Sequence, residues 1–270
     1  MNNNFNLGAV KALAIDMDGV VWRGNTPLPG FDDFFNFLHN SGLPYMLVSN
    51  NSTKTPAQYQ AKLARMGATV GPEHVLTSSL ATAAYMRREF APGSRVYAVG
   101  QDGLVEALRS VGFEMAEDSS RPVEAVVSGL DFYVTYEKLK HATILIRRGA
   151  KFIATNGDLT LPTEDGFHPG AGSILAALEA ASGVKPTVVG KPEPLMFEIA
   201  VQKMGVAPGE AAMLGDRLET DILGAQRVGL KTILVESGVD SRATIPVKGI
   251  TPDVIFSGID ELVRAWLQLL

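Results

Sequence analysis

The chain has 270 residues, 46% of them apolar, a formal net charge of −5 and no cysteine. That length fills a sizeable core in one large or two medium domains, and the missing thiols exclude disulfides, thiolate metal sites and cysteine nucleophiles. The acidic balance argues against a broad basic face for nucleic acid or anionic membrane, so small molecules are the expected partners.

The opening "MNNNFNLG" has neither a basic stretch nor an apolar one, and no segment reaches the roughly 18 apolar residues of a membrane span. A cytoplasmic protein is expected. In chain order, "VKALAID" predicts a strand, "FDDFFNFLHNSG" a helix, "PYMLVSN" a strand and "PAQYQAKLARMG" a helix. "RVYAVG", "EAVVSGL", "KFIATN" and "PTVVG" continue the strands, with "GLVEALRSVG" and "TYEKLKHATILIRRG" as helices among them. The remainder alternates "PEPLMFEIAVQKMG", "AAMLGD", "ETDILGAQRVG", "KTILVES" and "DVIFSG". Most strand candidates are continuous apolar runs, as in parallel strands covered on both faces, and most helix candidates stop at glycine. The reading is α/β with parallel sheet throughout, a doubly wound, Rossmann-like arrangement. The linker-like "APGSR" and "SGVKP" bracket an inserted α/β domain of about 91–184, which leaves a discontinuous core of 1–90 and 185–270.

Four strand ends carry chemistry. In "IDMDG" a strand's alternation points Asp16 and Asp18 the same way and Met17 to the opposite layer. Two carboxylates about 4 Å apart repel by roughly 4 kcal/mol at an effective dielectric near 20, which raises a pKa or recruits a cation. An Asp-Gly turn is the plain alternative. A calcium loop is not, because its fifth, sixth and twelfth positions would be Val20, Val21 and Pro27.

"LVSNNSTKT" ends a strand in Ser49, Asn50 and Asn51, whose hydroxyl, amides and backbone N–H groups can cradle an anion; a helix cap by Ser52 or Thr53 is the plain reading. "VVGKPEP" holds Lys191 between Gly190 and Pro192, either as a point charge on a phosphate or as a solvated loop lysine. "AAMLGDRLETDILGAQ" ends a strand in Asp216 and sets Asp221 about a turn into the next element, as metal site or helix cap. Ligands of an open parallel sheet lie at the carboxyl ends of its strands, so these clusters are expected to share one cleft. Carboxylates without cysteine or histidine suit a hard ion such as Mg²⁺.

The ordered set Asp16-Met17-Asp18-Gly19, Ser49-Asn50-Asn51, Lys191 and Gly215-Asp216 through Asp221 resembles the haloacid dehalogenase superfamily of phosphohydrolases. "YAVG", "FIATNGD", "HPGAGS", "GKPEP", "GDRLETDILGA" and the insert's position are similar to its class IIA branch, across nearly the whole chain. That branch includes 4-nitrophenyl, nucleotide, sugar, phosphoglycolate and pyridoxal phosphate phosphatases. The resemblance implies that Asp16 is the nucleophile and Asp18 the general acid and base. It implies that Ser49, Asn50, Asn51 and Lys191 bind the phosphoryl group. Mg²⁺ would be held by Asp16, the backbone carbonyl of Asp18 and Asp216, with Asp221 behind them.

It further implies a cap domain over the cleft, a mobile flap at "VVWRGNTPLPG", a small phosphorylated metabolite as substrate and a homodimer formed through the cap. Leaving-group contacts would come from "TNGDLTLPTEDGFHPG". Leu161 stands where pyridoxal phosphate phosphatases carry a histidine, a departure from that pattern, and His168 is the nearby polar residue. A phosphotransferase or phosphomutase would use the same aspartyl-phosphate but need an acceptor. A dehalogenase would not need the metal set, and a silent binding protein would show no turnover.

Overall fold

The computed structural model describes residues 5–163 and 166–269. The chain forms two compact units: residues up to Ser49, Gln60–Leu76 and Met196–Leu270 make the first, and Asn50–Tyr59 with Thr77–Leu195 make the second. Among the described residues no helix is long and apolar enough to cross a membrane.

The first unit is built on a six-stranded sheet ordered Val254–Phe256, Lys231–Val235, Ala211–Gly215, Ala12–Ile15, Tyr45–Ser49 and Val75–Thr77. The first five pair in parallel, with Ala12 opposite Ala211 and Leu13 opposite Tyr45. Ala12, Leu13, Ala14 and Ile15 are fully buried, which is why this strand reads as an unbroken apolar run. The helices Phe31–Ser41 and Ile259–Leu267 pack together, with the Phe37 and Trp266 rings 5.3 Å apart. Each such buried side chain contributes about 1.5–3 kcal/mol.

The second unit holds a five-stranded parallel sheet ordered Thr187–Val188, Lys151–Ala154, Ala125–Ser128, Arg95–Val99 and Glu114–Met115. Val126, Phe152, Leu145 and Leu178 belong to its core. Tyr136–Arg147 packs against Ala171–Ser182 and starts where Thr135 Oγ1 accepts from the Lys138 N–H.

Beside these two parallel sheets stand two separate antiparallel ribbons that the sequence reading did not expect. Trp22–Arg23 pairs antiparallel with Thr26–Pro27, and Thr160–Thr163 with Gly166–Pro169. The first ribbon turns at Gly24-Asn25, with Gly24 at φ 57°, a two-residue hairpin connection. The second mixes polar residues with Leu161 and Phe167, its Gly166–Pro169 strand is exposed, and it lacks the apolar alternation that marks a half-buried strand. Neither Ser52 nor Thr53 caps the next helix. Thr55 and Gln58 do so reciprocally, Gln58 N–H to Thr55 Oγ1 at 3.2 Å and Thr55 N–H to Gln58 Oε1 at 2.9 Å, and the helix runs Pro56–Arg65.

Candidate active site

The central strand of the first unit ends at Ile15, and the Asp16 N–H extends its ladder by donating to the Leu214 carbonyl at 2.8 Å. Met17 is fully buried while Asp16 is half-buried and Asp18 exposed. A tight turn follows, closed by Val21 N–H to the Met17 carbonyl at 3.0 Å and Gly19 N–H to the Trp22 carbonyl at 2.8 Å. Its Gly19 has φ 89°, and a Cβ there would strike the Asp216 carboxylate. The indole Nε1–H of Trp22 donates to Asp18 Oδ1 at 2.7 Å.

Asp216 directly follows the neighbouring strand Ala211–Gly215. Its Oδ2 accepts from the Val239 N–H at 2.8 Å, and Gly238 sits so close that a Cβ would overlap that same oxygen. Asp221 lies in a single π-helical turn, Leu218–Ile222, where its Oδ2 accepts from the Arg217 N–H at 3.1 Å. The acid therefore caps its own turn while fully buried.

One oxygen from each of Asp16, Asp216 and Asp221 lies within 4.8 Å of the others. Burial, then the charges of Asp16 and Asp221, hold the Asp216 carboxyl well above the usual carboxylate range. Its Oδ1 is buried with no hydrogen-bond partner among the described residues. A buried acceptor left unmatched beside two further carboxylates is what a hard cation with oxygen ligands relieves, so these residues fit Mg²⁺. The Asp18 carboxylate is not part of this trio.

The second unit carries the amide and lysine residues. Asn50 Oδ1 accepts from the Lys191 N–H at 2.8 Å, and Asn50 Nδ2 donates to the Lys191 carbonyl at 2.9 Å and to Asp158 Oδ2 at 3.1 Å. The Asn50 carbonyl accepts from Ser78 Oγ–H at 2.6 Å and Asn156 Nδ2–H at 2.7 Å. Asn51 Oδ1 is used locally, accepting from Thr53 N–H and Oγ1–H at 2.9 and 2.7 Å. Lys191 is only 3% exposed, which sets aside the solvated loop lysine.

The four clusters do not all end strands of one sheet. Asp16, Ser49 and Asp216 stand at strand ends of the six-stranded sheet, whereas Lys191 follows Thr187–Val188 of the five-stranded one. Val188 is in register with Ala154, and Val189 and Gly190 N–H continue to the Ala154 and Thr155 carbonyls at 3.0 and 2.8 Å. Leu161 lies opposite His168 across the Thr160–Thr163 and Gly166–Pro169 ribbon. The roles of Asn156, Asp158 and Trp22 escape the sequence reading. "FIATNGD" and "VVWRG" contain them, but only the fold reveals what they touch.

Family models match two stretches: a haloacid dehalogenase-like hydrolase model over residues 13–114 and a related HAD-hydrolase-like model over 188–262. An acid sugar phosphatase of Staphylococcus saprophyticus is 40% identical over 254 residues, 94% of this chain and 97% of that protein. A solved p-nitrophenyl phosphatase from Archaeoglobus fulgidus superposes with a TM-score of 0.88 at 33% identity, covering 95% of this chain and 99% of that one. A glycerol phosphate phosphatase from Mycobacterium tuberculosis, solved in complex with magnesium, gives 0.85 at 34% identity, covering 94% of this chain and 76% of that one. The chain therefore belongs to the haloacid dehalogenase-like hydrolase family, in its class IIA branch of phosphatases.

Proposed function

We propose that the protein is a Mg²⁺-dependent phosphatase that hydrolyses small phosphomonoesters, sugar phosphates among them, through an aspartyl-phosphate on Asp16. The observation that carries this reading is the trio of Asp16, Asp216 and Asp221 with its buried, unmatched Asp216 Oδ1. Asp16, Asp216 and the Asp18 main-chain carbonyl would hold the ion, and Asp221 would brace Asp216. When bound, Mg²⁺ neutralises charge on the carboxylates and on the phosphoryl group.

The residues of the chain do the bond making. An Asp16 carboxylate oxygen attacks phosphorus, a new O–P bond forms, and the ester O–P bond breaks as Asp18 gives its proton to the departing oxygen. Asp18 then takes a proton from water, whose oxygen attacks the phosphoryl group; phosphate leaves and the Asp16 carboxylate is restored. Lys191 supplies a positive charge toward the phosphoryl oxygens. Ser49, Asn50 and Asn51 bind those oxygens, Asn50 through its backbone N–H, because both its side-chain N–H groups are already donated to Lys191 and Asp158. Residues 91–184 act as a cap that excludes water and selects the leaving group, and pairing through that cap in a cytoplasmic setting belongs to the same proposal.

The test is a screen of phosphorylated metabolites with and without Mg²⁺, using the wild type and Asp16→Asn. Turnover that needs both the metal and Asp16 supports the reading; wild-type rates in Asp16→Asn contradict it.

A further inference from the structure

The turn after Asp18 brings Trp22 back against it, and Lys62 lies over the Trp22 ring. Trp22, fully buried, donates its indole N–H to Asp18 Oδ1 at 2.7 Å. The ammonium of Lys62, on the helix Pro56–Arg65, lies 4.0 Å from the centroid of that indole, and Lys62 itself is only 5% exposed. A lysine is almost never buried to this degree without a reason, because the charged head costs free energy to remove from water. The aromatic face offsets part of that cost, and a cation over the ring polarises the indole so that its N–H is a stronger donor.

We infer that Trp22, backed by Lys62, is a positioning residue that fixes which oxygen of Asp18 carries the catalytic proton. An indole nitrogen donates and cannot accept. Oδ1 must therefore remain an acceptor in both protonation states of Asp18, and the transferable proton sits on Oδ2. The same hydrogen bond holds the carboxyl plane of an otherwise exposed side chain in one orientation. Carboxyl groups at solvent rotate among several orientations, and proton transfer needs the donor within hydrogen-bond reach of the leaving oxygen. Neither Trp22 nor Lys62 needs to touch substrate for this.

The inference rests on the acid and base role proposed for Asp18, and the experiment separates the two. kcat/KM for phenyl phosphate and for 4-nitrophenyl phosphate is measured at saturating Mg²⁺ for the wild type, Trp22→Phe, Lys62→Met and Asp18→Asn. The two esters have similar shape, but phenolate is a much more basic leaving group and needs the proton, whereas 4-nitrophenolate departs with little help.

Trp22→Phe is expected to lower kcat/KM for phenyl phosphate about tenfold or more while changing the 4-nitrophenyl ester by less than about threefold, a fraction of the 10²–10⁴ typical of general acid catalysis. Lys62→Met is expected to give the same split, smaller in size, and decides the matter if circular dichroism shows that Trp22→Phe does not fold. Equal losses on both esters, or no loss on either, overturn the inference and leave Trp22 a packing residue. Full activity in Asp18→Asn instead overturns the underlying role of Asp18, whatever the tryptophan variants do.

Discussion

Asn50 grips the backbone of Lys191 from both sides, its Oδ1 accepting the Lys191 N–H at 2.8 Å and its Nδ2 donating to the Lys191 carbonyl at 2.9 Å. A primary amide is the side chain whose acceptor and donor match one residue's N–H and C=O together, and Asp158 takes the second amide hydrogen. Asn50→Ala is expected to leave these buried groups unmatched and to cost about 1–3 kcal/mol of stability. It should also raise KM for phosphate esters, because Lys191 loses its fixed backbone. Chemical denaturation and steady-state kinetics check both, and an Asn50→Ala protein of wild-type stability would contradict the clamp.

Asp216 gives the metal-free protein a pH-dependent contribution to stability. Its carboxyl is held above the ordinary range by burial and by Asp16 and Asp221, so the folded state binds its proton more tightly than the unfolded state does. Such a group stabilises the fold at low pH, and its contribution is lost as pH rises above an ordinary carboxylate pKa of about 4 and through the raised folded value. In EDTA, Asp216→Asn is therefore expected to melt higher than the wild type at neutral pH, with the gap closing as pH falls toward 4. Mg²⁺ should reverse the order by stabilising only the wild type. Melting curves at several pH values, with and without the ion, read this directly; a gap that widens at low pH would have the wrong sign.

The close approach of Gly238 gives a steric test. A Cβ at that position would overlap Asp216 Oδ2, the oxygen already held by the Val239 N–H. Gly238→Ala is expected to displace the carboxylate, weaken Mg²⁺ binding at least tenfold by calorimetric titration and lower activity, while Gly209→Ala, which meets nothing within 4 Å, should leave both unchanged. Equal Mg²⁺ affinity in the two variants would contradict the packing argument.

The parts that were legible in the sequence are those where burial on both sheet faces writes a continuous apolar run. Ala12–Ile15 and Ala211–Gly215 are wholly buried, and the acids just beyond them could be placed at strand ends from pattern alone. Lys191 was legible as a residue after a strand but not as a residue of the second sheet, because two-residue pairing such as Thr187–Val188 with Ile153 and Ala154 is set by tertiary contacts and leaves no periodic trace. Trp22 read only as part of the flap "VVWRGNTPLPG"; its significance lies in an N–H aimed at Asp18 four residues back and in Lys62 forty residues on. Asn156 and Asp158 read as part of the leaving-group loop "TNGDLTLPTEDGFHPG", and only the fold shows their hydrogen bonds to Asn50.

Trapping the covalent intermediate tests the central claim most directly. Asp18→Asn, mixed with 4-nitrophenyl phosphate and Mg²⁺, can still form the aspartyl ester because this leaving group needs little protonation, but lacks the base that activates water. Rapid acid quench and peptide mass spectrometry are expected to find one phosphoryl group per chain on Asp16, formed with a burst of nitrophenolate and decaying more slowly than wild-type turnover. Steady nitrophenolate release with no phosphoryl group on Asp16, or with the group on another residue, would contradict the account.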